Sequence, residues 1–174
     1  MSNRTPRDSG SIHLAGTVVL SQKASPIPSE NAPLGPLDLI SAWMDRPDRP
    51  LDFGQILELA EASPDVDALS QGARSARHAF AQSGSVLSGE EWVFRPEQGI
   101  PVQDWSDEKS LQSAAEAFYL KRMDLEQDNP VQQLLLRGAG RTVLLTRMHH
   151  ALADGLGCLE WVSHQFAVAS GATP

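Results

Sequence analysis

The chain has 174 residues, 41% of them hydrophobic, with a formal net charge of -8 and one cysteine, Cys158. That length suits one domain with its own core, and the apolar fraction excludes wholesale disorder. The 14 basic residues are scattered among 22 acidic ones, which argues against nucleic acid or an anionic membrane surface as partner. No apolar run reaches the roughly 20 residues that span a bilayer, a lone cysteine forms no internal disulfide, and residues 12–20 are too broken by His13, Gly16 and Thr17 for a secretory leader. These features predict a soluble, cytoplasmic protein.

Residues 1–35 read as a mobile N-terminal segment and linker, and 36–174 as the folded unit. In the first, Ile12, Leu14, Val18 and Leu20 give a weak strand pattern, and Pro26, Pro28 and Pro33 mark the linker. Pro36 suits the first position of a helix with Leu37, Ile40, Trp43 and Met44 at helical spacing, ended by Pro47 and Pro50. Residues 53–60 read as a strand with Phe53, Gln55, Leu57 and Leu59 on one face. Ser63 is expected to cap a helix from Pro64, with Asp65 and Asp67 in its first turn and a stripe of Val66, Leu69, Ala73, Ala76 and Phe80. Residues 84–89 read as a turn-rich break and 92–94 as a short strand. Ser106 is expected to cap a helix with Leu111, Ala114, Ala115 and Phe118 on one face.

Residues 131–137 and 142–148 form two strand-like runs joined by Gly138-Ala139-Gly140, a hairpin signal. Beyond them, Leu156, Leu159, Val162 and Phe166 predict an amphipathic helix ending near Gly171. Strands alternating with helices, plus a hairpin, predict an α/β (α+β layered) domain in which a mixed sheet packs against helices.

Between the hairpin and the last helix stands His149-His150-Ala151-Leu152-Ala153-Asp154-Gly155. Four fixed residue types at this spacing arise by chance on the order of once per million starting positions. Side chains alternate along a strand, so His149 and His150 point to different faces and only one can address a given cavity. A neutral imidazole within reach of a hydroxyl or amine can take its proton as that group attacks a carbonyl, with no covalent enzyme intermediate. Asp154 suits the cap of the following helix, and Gly155 permits positive φ or close backbone approach. An isolated histidine would read as a buried polar group satisfied at a strand end; the complete motif reverses that preference. A metal site from His149, His150 and Asp154 is disfavoured because the two rings diverge. Cys158, inside the helix, reads as a small hydrophobe. His13, His78 and His164 read as ordinary histidines, and Trp43, Trp92, Trp105 and Trp161 as core or interface residues.

The motif resembles the active-site signature of the chloramphenicol acetyltransferase-like superfamily, which includes condensation domains of nonribosomal peptide synthetases and bacterial wax ester synthase/diacylglycerol acyltransferases. Upstream, Pro33-Leu34-Gly35-Pro36-Leu37-Asp38, Leu51-Asp52-Phe53-Gly54 and Leu134-Leu135-Leu136 are similar to the N-terminal half of the last group. The resemblance implies a single CAT-like lobe whose second lobe is absent. His150 would then be the catalytic base, Asp154 the orienter of the loop, Gly155 a backbone N–H donor beside the acyl donor, and His149 a supporting residue.

By that resemblance the chain is expected to transfer an acyl group from an acyl thioester, acyl-CoA first and a carrier-bound one second, to a hydroxyl or, less favourably, an amine. The thioester is a cosubstrate, with no resident cofactor and no metal. A second copy, or a complementary second-lobe chain, is the expected protein partner. The rival expectations are a noncatalytic half-domain that binds or oligomerises, and a condensation fragment that forms amide bonds from carrier-bound thioesters.

Overall fold

The computed structural model describes residues 32–46, 48–60, 64–96, 99–138, 140–153 and 155–174. Its centre is a four-stranded mixed sheet in the order β2 (Asp52–Leu59), β7 (Arg141–His149), β6 (Val131–Gly138) and β5 (Val102–Asp104). β7 is antiparallel to both neighbours, and β5 runs parallel to β6. Helices α2 (Val66–Ala79) and α4 (Gly155–Ala169) lie together on one face, where Leu69, Ala73 and Ala76 meet Leu135, Leu144, Met148, Cys158 and Trp161. The other face is covered by α3 (Glu108–Leu120), through Ala114 against Leu136, Val143 and Leu145. Because the pleat alternates, consecutive residues of β6 and β7 serve opposite cores. Residues 142–149 of β7 are accordingly all buried.

A second, antiparallel sheet orders β1 (Ala32–Pro33), β4 (Glu91–Phe94) and β3 (Ser85–Ser88). It and α1 (Pro36–Met44) enclose a small core of Trp92, Met123, Leu125 and Ala151, with Leu34 and Ala42 packed against it. Ala151 belongs to the motif loop, so this core anchors the loop from outside the main sheet.

At Gly72 and Gly54 the reason for glycine is close approach. A Cβ on Gly72 of α2 would run into the Gln165 carbonyl of α4. One on Gly54 of β2 would strike the ring of Tyr119, whose hydroxyl donates to the Gln55 carbonyl at 2.7 Å and ties α3 to the sheet.

The α/β class, the main hairpin and the four longer helices follow the sequence expectations. Pro36 takes the first helical position after Gly35, and Gly171 ends α4 at φ 76 with its N–H donating to the Val168 carbonyl. Several details differ. The cap of α2 is Asp65, which accepts from the Ala68 N–H, and the cap of α3 is Asp107 rather than Ser106. Residues 85–88, expected as part of a turn-rich break, form β3, and β5 was not expected at all. Residues 32–33, assigned to the linker, form β1. The expected strand at 11–20, linker residues 21–31 and the Ser63 cap fall outside the described residues.

Two apolar stripes also differ from expectation. On α4 the buried face is Cys158, Trp161, Val162 and Gln165, while Leu156 and Leu159 are 71% and 52% exposed. The helix is apolar around much of its circumference, so periodicity alone could not choose the inward side. On α1, Ile40, Met44 and Trp43, the last 75% exposed, face outward. Ala42 is what packs inward.

The α2–α4 contact gives the first prediction. Gly72→Ala should destabilise the fold by about 1–3 kcal/mol through overpacking, lowering the Tm by several degrees. A thermal melt matching wild type would contradict the close approach.

Candidate active site

The alternation of β7 continues to its end and divides the histidine pair. Arg147 and His149 extend the face that carries Val143 and Leu145. Met148 lies on the α2–α4 face, and His150, next beyond His149, is exposed there, its ring centroid 4.6 Å from that of Phe53. Phe53 pairs with Met148 across the β2–β7 ladder and packs against the main core, so it gives the His150 ring a rigid backing. The His150 N–H donates to the Leu51 carbonyl at 2.8 Å, which fixes its backbone just before β2 begins.

His149 is the opposite case: 1% exposed and bonded into the protein. Its Nδ1 accepts from the Ala151 N–H at 3.0 Å, its own N–H donates to the Pro130 carbonyl at 2.9 Å, and its carbonyl accepts from Leu152 at 3.0 Å. Nε2 is buried without a hydrogen bond, 3.8 Å from Asp45 Oδ2. Burial pushes the imidazole below its ordinary value of 6.5, outweighing the nearby carboxylates of Asp45 and Asp52. His149 is therefore a neutral, immobile ring that shapes the loop, whereas His150 is free to meet a ligand.

Beside His149 lies a polar cluster that sequence reasoning did not single out. Arg147 is fully buried, its guanidinium donating to Gln132 Oε1 and to the Lys121 carbonyl, with Asp52 Oδ2 3.7 Å away and the Phe118 ring 5.2 Å below. Arg147 and Gln132 line a cavity of about 420 Å3 together with Phe118, Lys121 and Leu134. On the α4 side, Gln133 bridges Thr146 at 2.9 Å and Gln165 at 2.8 Å. A charge inside the apolar run 142–148 was the available signal for Arg147; Asp45 and Asp52 lie too far away in sequence to be paired with it by pattern.

Asp154 lies outside the described residues. Gly155 is the exposed first residue of α4, with no positive φ and open space where a Cβ would stand. Within the chain, then, neither expected reason for glycine operates there. Cys158 is buried and burial pushes its thiol up, away from thiolate chemistry. No metal-ligating cluster of His, Cys, Asp or Glu occurs among the described residues. His164 bonds Ser75 and His78 stacks near Phe94, both away from the motif. Trp92, Trp105 and Trp161 are core residues, as expected, and Trp43 is exposed.

The sequence matches no protein-family model, and no curated protein matches it. Solved structures do match. A variant of the starter condensation domain of rhizomide synthetase, in complex with C8-CoA, superposes with a TM-score of 0.67 at 17% identity, over 84% of this chain and 38% of that one. The first condensation domain of the CDA synthetase gives 0.64 at 17%, over 83% and 42%. The condensation domain of the Monacolin K polyketide synthase MokA gives 0.65 at 16%, over 83% and 35%. The chain thus has the condensation-domain fold over a single lobe, and spans less than half the length of the chains it matches. Among the described residues, no helix is long and apolar enough to cross a membrane.

Buried His149 and half-buried His164 set a pH dependence. Burial holds both His149 and His164 below 6.5 in the folded chain, so just below that value the unfolded chain binds more protons. Their contribution to stability is complete above pH 6.5 and is lost as the pH falls beneath it. Thermal melts from about pH 8 to about pH 5 should show a falling Tm, with a shallower acid slope in His149→Gln. A Tm that rises on acidification would contradict this assignment.

Proposed function

We propose that the chain is an acyl-transfer lobe in which His150 is the general base. The observation that carries this is the division of the histidine pair: one ring locked inside the protein, the next exposed and backed by Phe53. In the reaction, His150 takes the proton of the acceptor hydroxyl or amine as its oxygen or nitrogen attacks the thioester carbonyl carbon. The C–S bond breaks, and the departing thiolate takes the proton from the imidazolium, leaving a free thiol and an ester or amide. In this reading Asp154 orients the loop, His149 supports it from within, and the N–H of Gly155, the first residue of α4, donates to the developing oxyanion.

For the donor, the C8-CoA complex of the rhizomide starter domain and the upstream likeness to wax ester synthase/diacylglycerol acyltransferases favour an acyl-CoA and a hydroxyl acceptor. A second reading, amide formation from a carrier-bound thioester, is favoured by the fold shared with condensation domains.

The partner proposal rests on surface. Leu156 and Leu159 lie exposed directly after the motif, and α1 presents Ile40, Trp43 and Met44 outward. Exposed apolar patches of this kind mark interfaces, and the chain matches only 35% of the length of one neighbour and 42% of another. A second copy or a complementary lobe completes the site. The same patches favour the noncatalytic alternative, in which the lobe only binds.

The test is acceptor-dependent thiol release from acyl-CoA and from a carrier-bound thioester. Release should fall on the order of a thousandfold in His150→Ala with the Tm unchanged; equal turnover in the variant would sink the assignment. Asp154→Ala should lower both rate and Tm, and an unaltered Tm would contradict its structural role. Release only from the carrier-bound donor would select the amide-forming reading, and self-association without release the binding module.

A further inference from the structure

We propose that Asp45 is a positioning residue for His150, acting through Leu51 and the buried His149 ring. The link from Asp45 to catalysis rests on His150 being the base; the link from Asp45 to His149 does not.

Asp45 closes α1, with its N–H donating to the Ser41 carbonyl, so its side chain starts from a fixed point. One carboxylate oxygen, Oδ1, accepts from the Leu51 N–H at 3.0 Å, and the Leu51 carbonyl in turn accepts from the His150 N–H at 2.8 Å. The carboxylate therefore sets the peptide on which the His150 backbone hangs. The other oxygen, Oδ2, faces His149 Nε2 at 3.8 Å, with Arg122 3.9 Å away toward solvent.

The proton on His149 follows from its bonds. Nδ1 accepts from the Ala151 N–H, so it carries no hydrogen, and the neutral ring must hold its proton on Nε2. That N–H is buried with no hydrogen-bond partner, and the Asp45 carboxylate, its Oδ2 3.8 Å from Nε2, is suited to receive it. Asp45 thus favours the tautomer in which His149 can accept from Ala151, the residue immediately after His150. Both peptides flanking the catalytic ring, through Leu51 on one side and Ala151 on the other, are held by one side chain. Asp52 and Arg147 also face this region, but they pair with each other at 3.7 Å.

Asp45→Asn separates this role from bulk packing. An amide has one acceptor and one donor end, so whichever way it turns, an N–H confronts either the Leu51 N–H or the His149 Nε2–H. Asp45→Ala removes both contacts. Ring 15N spectra of the full chain, assigned with His149→Gln, report which nitrogen bears the proton. Wild type should show it on Nε2 of His149, and both variants should shift it to Nδ1 or to a mixture. In the acyl-transfer assay kcat should fall on the order of a hundredfold with KM unchanged, as for misplacement of a catalytic group.

A wild-type proton on Nδ1, or a ring state unchanged in both variants, would overturn the Asp45–His149 contact. A shifted ring with undiminished kcat would overturn the link to His150. If the wild-type chain shows no acyl transfer, the spectra still decide the first half, and the reading of His150 as base is what fails.

Discussion

A strand covered on both faces has no solvent to receive its polar side chains, and β7 is such a strand, with α2 and α4 on one side and α3 on the other. Thr142, Thr146, Arg147 and His149 are all buried along it. Each polar group must then find a partner inside the protein or cost free energy. Thr146 is satisfied by Gln133, itself paired with Gln165 of α4. Arg147 is held by Gln132, the Lys121 carbonyl and Asp52. His149 is held by Ala151 and Pro130. These partners come from β6, α4, the segment after α3, the start of β2 and the motif loop, so the demands of one strand fix the placement of the elements around it.

The same constraint explains why two adjacent histidines have different fates. The period-two pleat hands His149 to the enclosed face and His150 to the opposite one, where the sheet ends and cover ends with it. Desolvation keeps the first ring neutral; exposure leaves the second available. A buried ion pair such as Arg147–Asp52 is weak evidence for stability, since the cost of desolvating both charges rivals their attraction. What the cluster supplies is rigidity: it fixes the end of β7 against α3 and β2, and the motif loop begins from that fixed end.

Much of this was legible in the sequence because it is local. The hairpin of β6 and β7 announces itself by two apolar runs around Gly138 and Gly140, and Pro36 and Gly171 mark helix ends by backbone chemistry alone. The divergence of His149 and His150 followed from strand alternation. What was missed depends on tertiary contact. β5 is three exposed residues whose only recommendation is parallel pairing with β6. β3 is short and bounded by glycines, and so resembles a turn. On α4, Gln165 is buried because Gln133 meets it, so a polar residue sits where periodicity would place it outside, while Leu156 and Leu159 face out beside the motif. Asp45 and Asp52 join the site only because β2 pairs with β7, a pairing between distant segments that no local pattern encodes.

The central claim is that the pleat of β7 makes one motif histidine an enclosed structural ring and the next an accessible one. Histidine carbethoxylation of the native chain, mapped residue by residue by mass spectrometry, tests it most directly. The account predicts that His150 is modified rapidly in the folded protein, whereas His149 reacts only on unfolding. Equal rates at the two positions, or faster modification of His149, would contradict it.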